Sequence, residues 1–303
     1  MFHTFLVSLL VFSTFTSPMH IEAISTHIAQ VGEQSETTST AQVSKEPEIN
    51  PAVQVNQGLE TAHTIPINEQ PLPSNNTKID WWLVRPKNHE TPGFNDKLSF
   101  KLSDYDALCL GDTERKVIYL TFDEGYENGY TPQILDVLKT KKVSAMFFVT
   151  DPYVLQNPMI IQRMADEGHL VVNHSVHHPS MPSVACDPDK FKNELLPVAT
   201  HYKEITGKEM APFFRPPMGH YSERSLALTK QLGYKTVFWS FAYADWDPQK
   251  QPEPSRAKTI MLNGLHNGAV YLLHAVSKTN TEILGSFIDE AHDLGYTFEL
   301  LPY

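Results

Sequence analysis

Beyond residue 79, short apolar runs recur at a regular pace, separated by turn residues and by longer stretches of mixed polarity. Seven runs, at 117–122, 144–149, 170–172, 213–214, 236–240, 269–273 and 297–301, read as strands, and the stretches between them read as helices. Several of those helices carry signals at both ends. Thr131-Pro132, Asn157-Pro158 and Asp187-Pro188 each offer a capping side chain followed by proline at the first helical position, while Gly168, Gly207, Gly233 and Gly295 fit C-terminal stops. Strands alternating with helices in this way predict an α/β fold built on a parallel sheet or a parallel barrel.

The N-terminal part follows no such pattern. Residues 5–15 form an apolar run of the length of a signal-peptide core, well short of the ~20 residues a membrane span needs. Residues 1–23 therefore read as a signal peptide or N-terminal anchor, and the protein is expected to be exported. Over 24–78, Thr, Ser, Gln, Glu, Asn and Pro dominate without a helix or strand period. Such a segment buries too little apolar surface to offset its ordering entropy, and it reads as a disordered polar linker. The folded domain is expected over 79–303.

Charge narrows the partners. A formal net charge of −11 over 303 residues argues against nucleic acid or an anionic membrane face as the main partner and leaves a neutral or mixed-charge polymer open. Two cysteines, Cys109 and Cys186, are too few for a disulfide-stapled scaffold.

Residues of catalytic type stand just past the C-terminal ends of five of the seven expected strands: Asp123 and Glu124, Asn173 and His174, Arg215, Asp245 a few residues on, and His274. In α/β barrels that rim is where sites are built. Thr121-Phe122-Asp123-Glu124-Gly125 sets two carboxylates side by side, and they serve one site only if the strand has ended and the backbone bends, which Gly125 permits. His174-Ser175-Val176-His177-His178-Pro179 reads as a loop, because Pro179 disfavours the helical region for His178. Imidazoles on such a loop, together with a carboxylate, suit zinc and other divalent first-row ions; His177 is read as a bystander. In Arg215-Pro216-Pro217-Met218-Gly219 two prolines stiffen the turn, so that Arg215 can be held against a carboxylate and a backbone N–H can face a developing oxyanion. Asp245-Trp246 and Leu272-Leu273-His274 complete the set, with a histidine that becomes a credible proton donor once a carboxylate orients it.

Taken in chain order, these five segments resemble the five motifs of the polysaccharide deacetylase (NodB homology) family, over roughly residue 79 to the C-terminus. Residues 119–131, Asn88-His89, Phe238-Trp239-Ser240 and residues 271–277 are similar to its spore-cortex N-acetylmuramic acid deacetylases. The resemblance implies a distorted (β/α) barrel of about seven parallel strands. It implies metal-dependent hydrolysis of the N-acetyl group of amino sugars in bacterial peptidoglycan, N-acetylmuramic acid foremost, on the way to the muramic lactam of spore cortex. N-acetylglucosamine in peptidoglycan or a chitin-like polymer is the alternative substrate, and a non-catalytic wall-binding domain the alternative function.

The same resemblance assigns roles. One divalent metal ion, zinc first, would sit on His174 and His178, with Glu124 as a further candidate ligand. Asp123 would be the base, oriented by Arg215, and His274 the acid, oriented by Asp245. A backbone N–H among Pro217, Met218 and Gly219 would hold the oxyanion. Two positions depart from the family pattern: Glu124 stands where many members carry a metal-binding aspartate, and Met218 where the subgroup tends to carry arginine. The expected partner is cell-wall glycan, with no nucleic acid and no integral membrane partner, and the expected state is a monomer at the cell wall or the outer face of the membrane.

Overall fold

The computed structural model of the protein describes residues 71–85, 89–95 and 97–303. The export segment expected over 1–23, and the expected linker as far as 70, lie outside the described residues. The end of that linker is a correction: residues 71–78 belong to the folded unit. Leu72 packs on the cluster that holds Phe214 and Leu228. Asn76 Nδ2 donates to the Pro182 carbonyl at 2.8 Å, and Asn76 Oδ1 accepts from Ser222 Oγ at 2.6 Å. The polar residues here make directional bonds to the domain, which a composition argument counts as solvation.

Three two-residue strands come first, β1 (Ile79–Asp80), β2 (Leu83–Val84) and β3 (Gly93–Phe94), then β4 (Ala107–Leu108) and β5 (Val117–Glu124). Alternation follows with α1 (Thr131–Lys141), β6 (Met146–Val149), α2 (Asp151–Gln156), α3 (Pro158–Asp166) and β7 (Leu170–Asn173). Next are α4 (Met181–Val184), α5 (Pro188–Thr206), β8 (Phe213–Phe214) and β9 (His220–Tyr221). The chain ends through α6 (Glu223–Gln231), β10 (Lys235–Val237), α7 (Pro254–Asn263), β11 (Ala269–His274), α8 (Lys278–Asp293) and β12 (Thr297–Phe298).

The main sheet runs in the order β11-β5-β6-β7-β8-β10-β4, with β12 paired to the start of β5, and all of these pairings are parallel. Each of the seven expected strands is present. In the main sheet the strand without a sequence signal is β4, whose two residues are too few to show a period, and the two-residue strands β1, β2, β3 and β9 outside it lack one for the same reason. The sheet curls into a half-open barrel. Past β10, Phe241 bridges Tyr271 of β11, and Leu110, just past β4, bridges Ala269, so the two margins approach each other.

Strand β5 is buried along its whole length, which explains its unbroken apolar run. Its residues divide by parity. Val117 and Tyr119 face inward with Met146, Phe148 and Val172, while Ile118, Leu120 and Phe122 face outward under the helices. The outer layer is closed by Ile134, Leu135 and Leu138 of α1, Ile161 and Met164 of α3, and Ile283, Leu284, Phe287 and Ile288 of α8. Each such side chain contributes about 1.5–3 kcal/mol on burial.

Helix ends follow the sequence signals in part. At α5 the Asp187 side chain accepts from the N–H groups of Asp189 and Lys190, and Gly207 closes the helix at φ 69°. At α1 the cap is Tyr130, and Thr131 lies inside the helix, where its hydroxyl accepts from Tyr153.

Parallel strands put all their C-terminal ends at one mouth, and the opposite end must be sealed. Gly111 N–H donates to the Gly268 carbonyl at 2.8 Å there. Gly268 has φ +70°, and a Cβ on it would lie 2.9 Å from the backbone of Asp112. Because backbone cannot move aside as a side chain can, Gly268→Ala is expected to destabilise the fold by about 3 kcal/mol. A urea unfolding midpoint unchanged from wild type would show that this contact does not constrain the barrel floor.

Candidate active site

Arg215, directly after β8, has no solvent exposure, so every part of its charge must be answered inside the protein. Its Nη1 donates to Asp123 Oδ1 at 2.6 Å and to Thr121 Oγ1 at 2.8 Å. Its Nε donates to the Val237 carbonyl at 3.1 Å, and its guanidinium lies 4.0 Å from the centre of the Phe148 ring. Burial pushes the Asp123 carboxyl up, but the adjacent Arg215 charge, with His174 and His274, outweighs it and holds Asp123 below the usual carboxylate range. Asp123 is therefore an anion at neutral pH, able to accept a proton.

The Arg215 carbonyl fixes the next group. It accepts a hydrogen bond from His174 Nδ1 at 2.8 Å, which makes Nδ1 the protonated nitrogen and leaves the Nε2 lone pair free, 3.5 Å from Asp123 Oδ2. Burial pulls the His174 pKa down to about 4, so the ring is neutral. Ser175 and His178 both have left-handed backbones, φ 73° and 56°, and fold the loop back so that the His174 and His178 rings meet edge to face at 4.9 Å. The two imidazoles thus converge from a loop, as Pro179 implies. His177 instead turns its Nδ1 to Glu194 at 2.9 Å.

His274 ends β11 and is the register partner of Asp123 on β5. Its Nδ1 lies 2.8 Å from Asp245 Oδ1, and its backbone N–H donates to Asp245 Oδ2 at 2.8 Å. Burial lowers the proton affinity of His274, but the Asp245 charge and hydrogen bond, with Asp123 beyond, raise it overall. A neutral imidazole pair and an imidazole poised to be charged therefore flank one carboxylate.

These groups open into a cavity of about 890 Å³ lined by Asp123, His174, His178, Trp239, Leu272 and His274, among others. Tyr126, Met218 and Trp246, all exposed, stand at its edge. Of the turn residues expected to serve an oxyanion, Pro217 has no N–H, and that of Gly219 is taken by the Pro216 carbonyl at 3.0 Å. Met218, which lines the cavity at φ 58°, is the one of the three whose N–H can be offered.

The arrangement has counterparts. Residues 110–237 match the family model described as polysaccharide deacetylase. The chain is 46% identical over 224 residues to the peptidoglycan-N-acetylmuramic acid deacetylase PdaA of Bacillus subtilis, covering 74% of this chain and 84% of that protein. The chain belongs to the polysaccharide deacetylase family. The solved structure of Bacillus subtilis PdaA, a family 4 carbohydrate esterase, superposes with a TM-score of 0.72 at 45% identity, covering 74% of this chain and 95% of that one. A family 4 carbohydrate esterase from Bacillus anthracis gives a TM-score of 0.62 at 41% identity, covering 76% and 96%. The curled sheet of parallel strands is the fold of this family.

Deacetylases of this family are in general metalloenzymes. His174 fits such an ion, with a neutral ring and an Nε2 lone pair turned toward the cavity, and the His178 ring stands beside it. Glu124 does not join them. The strand continues through it, pairing Glu124 with Val149 of the outer layer and Asp123 with Phe148 of the inner one. The bend expected at Gly125 comes one residue too late, so the two carboxylates face opposite sides of the sheet. Among the described residues, no three of His, Cys, Asp and Glu form a metal-holding group. His174 and His178 are the residues that would hold such an ion.

Glu124 is instead a buried acid of the outer layer, both oxygens without a hydrogen-bond partner, near Tyr153 and Glu127. Burial, with the charges of Glu127 and Asp123, raises its pKa well above the ordinary 4.5. The folded state therefore holds this proton more tightly than the unfolded chain. The favourable contribution is complete below pH about 4.5 and declines as pH rises toward the folded value, at up to about 1.4 kcal/mol per pH unit. Glu124→Gln should remove that decline and gain on wild type as pH increases, while leaving metal affinity unchanged. Parallel stability curves for the two proteins, or weakened metal binding by calorimetry, would contradict this placement.

Three supporting residues carry no sequence signal of their own. Thr121 shares Arg215 with Asp123, and Tyr243 and Asn280 lie behind Asp245. The Ser277 cap, whose hydroxyl accepts from the Asn280 N–H, is the pattern that places the third residue of α8 at the strand end.

Proposed function

We propose that the protein hydrolyses the N-acetyl group of amino sugars in bacterial peptidoglycan, N-acetylmuramic acid foremost, releasing acetate and a free amine. The observation that carries this reading is the pairing of Asp123 with His274 on adjacent strands, an anion that takes a proton beside an imidazole that gives one. The similarity to the muramic acid deacetylase of Bacillus subtilis supports the choice of sugar.

In this reading Asp123 accepts a proton from the attacking water as its oxygen bonds to the acetyl carbon. Arg215 keeps the carboxylate charged and aimed. The Met218 N–H donates to the oxygen that gains charge. As the carbon–nitrogen bond breaks, His274 passes its proton to the sugar nitrogen, and Asp245 favours the charged form of the ring beforehand. A divalent ion, zinc as first candidate, would be held by His174 and His178 and would supply Lewis acidity to the acetyl carbonyl and the water. The protein would work outside the cytoplasm on cell-wall glycan, as a monomer, with the export signal in residues 1–23.

Acetate release from purified peptidoglycan, with metal restored after chelation, tests this. His174→Ala and His178→Ala are each expected to lose bound metal and activity together with the fold intact; a variant that keeps stoichiometric metal refutes its assignment. Asp123→Asn is expected to keep metal and lose about 10²- to 10⁴-fold in kcat. Release from chitin oligomers but not from muramic residues would move the substrate to N-acetylglucosamine. Metal-free protein with no acetate release from any glycan would favour a wall-binding domain.

A further inference from the structure

Asp245 has no solvent exposure and carries a burden beyond its bond to His274. A buried carboxylate needs donors on both oxygens to remain an anion. Its Oδ1 faces His274 Nδ1, while Oδ2 takes the His274 backbone N–H at 2.8 Å and Asn280 Nδ2 at 2.7 Å. Asn280 is itself buried in the first turn of α8, and its amide is fully used. Nδ2 also donates to the His274 carbonyl at 3.1 Å, and Oδ1 accepts from the Tyr243 hydroxyl. The amide cannot be turned over, because its oxygen would then face the Asp245 carboxylate. Tyr243, which lines the cavity, thus fixes the orientation of Asn280, and Asn280 fixes Asp245.

We infer that Asn280, locked by Tyr243, is a positioning residue for proton donation: it holds Asp245 in the plane that keeps His274 aimed at the departing nitrogen. This rests on the deacetylase reading. Other groups facing His274 are Asp123 on β5, Arg215 after β8 and His178 in the loop after β7. None of them touches Asp245 through a hydrogen bond, so among the described residues the Asn280 amide is the lever on that carboxylate apart from His274 itself.

Proton donation matters when the leaving group is an amine and is dispensable when it is a stable phenolate. On the full-length metal-loaded protein, Asn280→Ala should lower kcat for acetate release from glycan by about 10- to 100-fold with KM unchanged. Hydrolysis of 4-nitrophenyl acetate should change less than about threefold, because that step does not draw on general-acid assistance. Tyr243→Phe, which removes one hydroxyl and preserves packing, should show the same selectivity with a smaller loss, and it serves if the alanine variant does not fold. In proton NMR the downfield His274 Nδ1–H resonance should be present in wild type and lost in Asn280→Ala. Equal slowing of both substrates, or an unaltered resonance, overturns the assignment. Wild type that releases no acetate from any glycan, with the resonance still lost in the variant, would sink the deacetylase reading and leave the hydrogen-bond assignment standing.

Discussion

A guanidinium sealed from water at the centre of the mouth is the constraint on which the site depends. Arg215 ties β5, through Asp123 and Thr121, to the end of β10, through the carbonyls of Val237 and Phe238, while its own carbonyl selects the His174 tautomer. One residue therefore sets the charge of the proposed base at its side chain and the free lone pair of the proposed ligand at its backbone. Removing one partner of such a pair typically costs about 3–5 kcal/mol, because the other charge is stranded. Pro216 and Pro217 keep the backbone from relaxing around it.

On the other side of the cavity the logic is repeated with opposite sign. Asp245 is the sealed charge, and His274 is the group left partly open to solvent. Asp123 and His274 end neighbouring strands, and each has a buried ion beside it, Arg215 and Asp245 respectively, that stabilises the form the chemistry needs: anionic Asp123 and protonated His274. Neither pair works alone, since a base without an acid cannot expel an amine, and an acid without a base cannot activate water.

Much of this was legible in the sequence, and the failures have physical causes. The seven strands announce themselves because strands covered on both faces are continuously apolar, and Asp123, His174, His178, Arg215, Asp245 and His274 stand at their ends. Glu124 departs from expectation because the parity rule was set aside for a strand end that Gly125 permits and the fold does not use. Val117, Tyr119, Thr121 and Asp123 share one face of β5, and Glu124 belongs with Ile118, Leu120 and Phe122 unless pairing to β6 stops early, which it does not. Residues 71–78 looked like linker because hydrogen-bonded polar side chains have the same composition as solvated ones. Asn280 was invisible because a polar residue in a helix's first turn usually meets water.

The register between β5 and β11 has a consequence for how such a protein can diversify. Asp123 and His274 are separated by one inter-strand step, a spacing set by backbone hydrogen bonds rather than by any side chain. The side chains of Tyr126, Met218 and Trp246, by contrast, hang on connecting segments and can be exchanged without disturbing the ladder beneath them. A lineage can therefore trade one sugar polymer for another by rewriting its margins, with the reacting pair inherited intact.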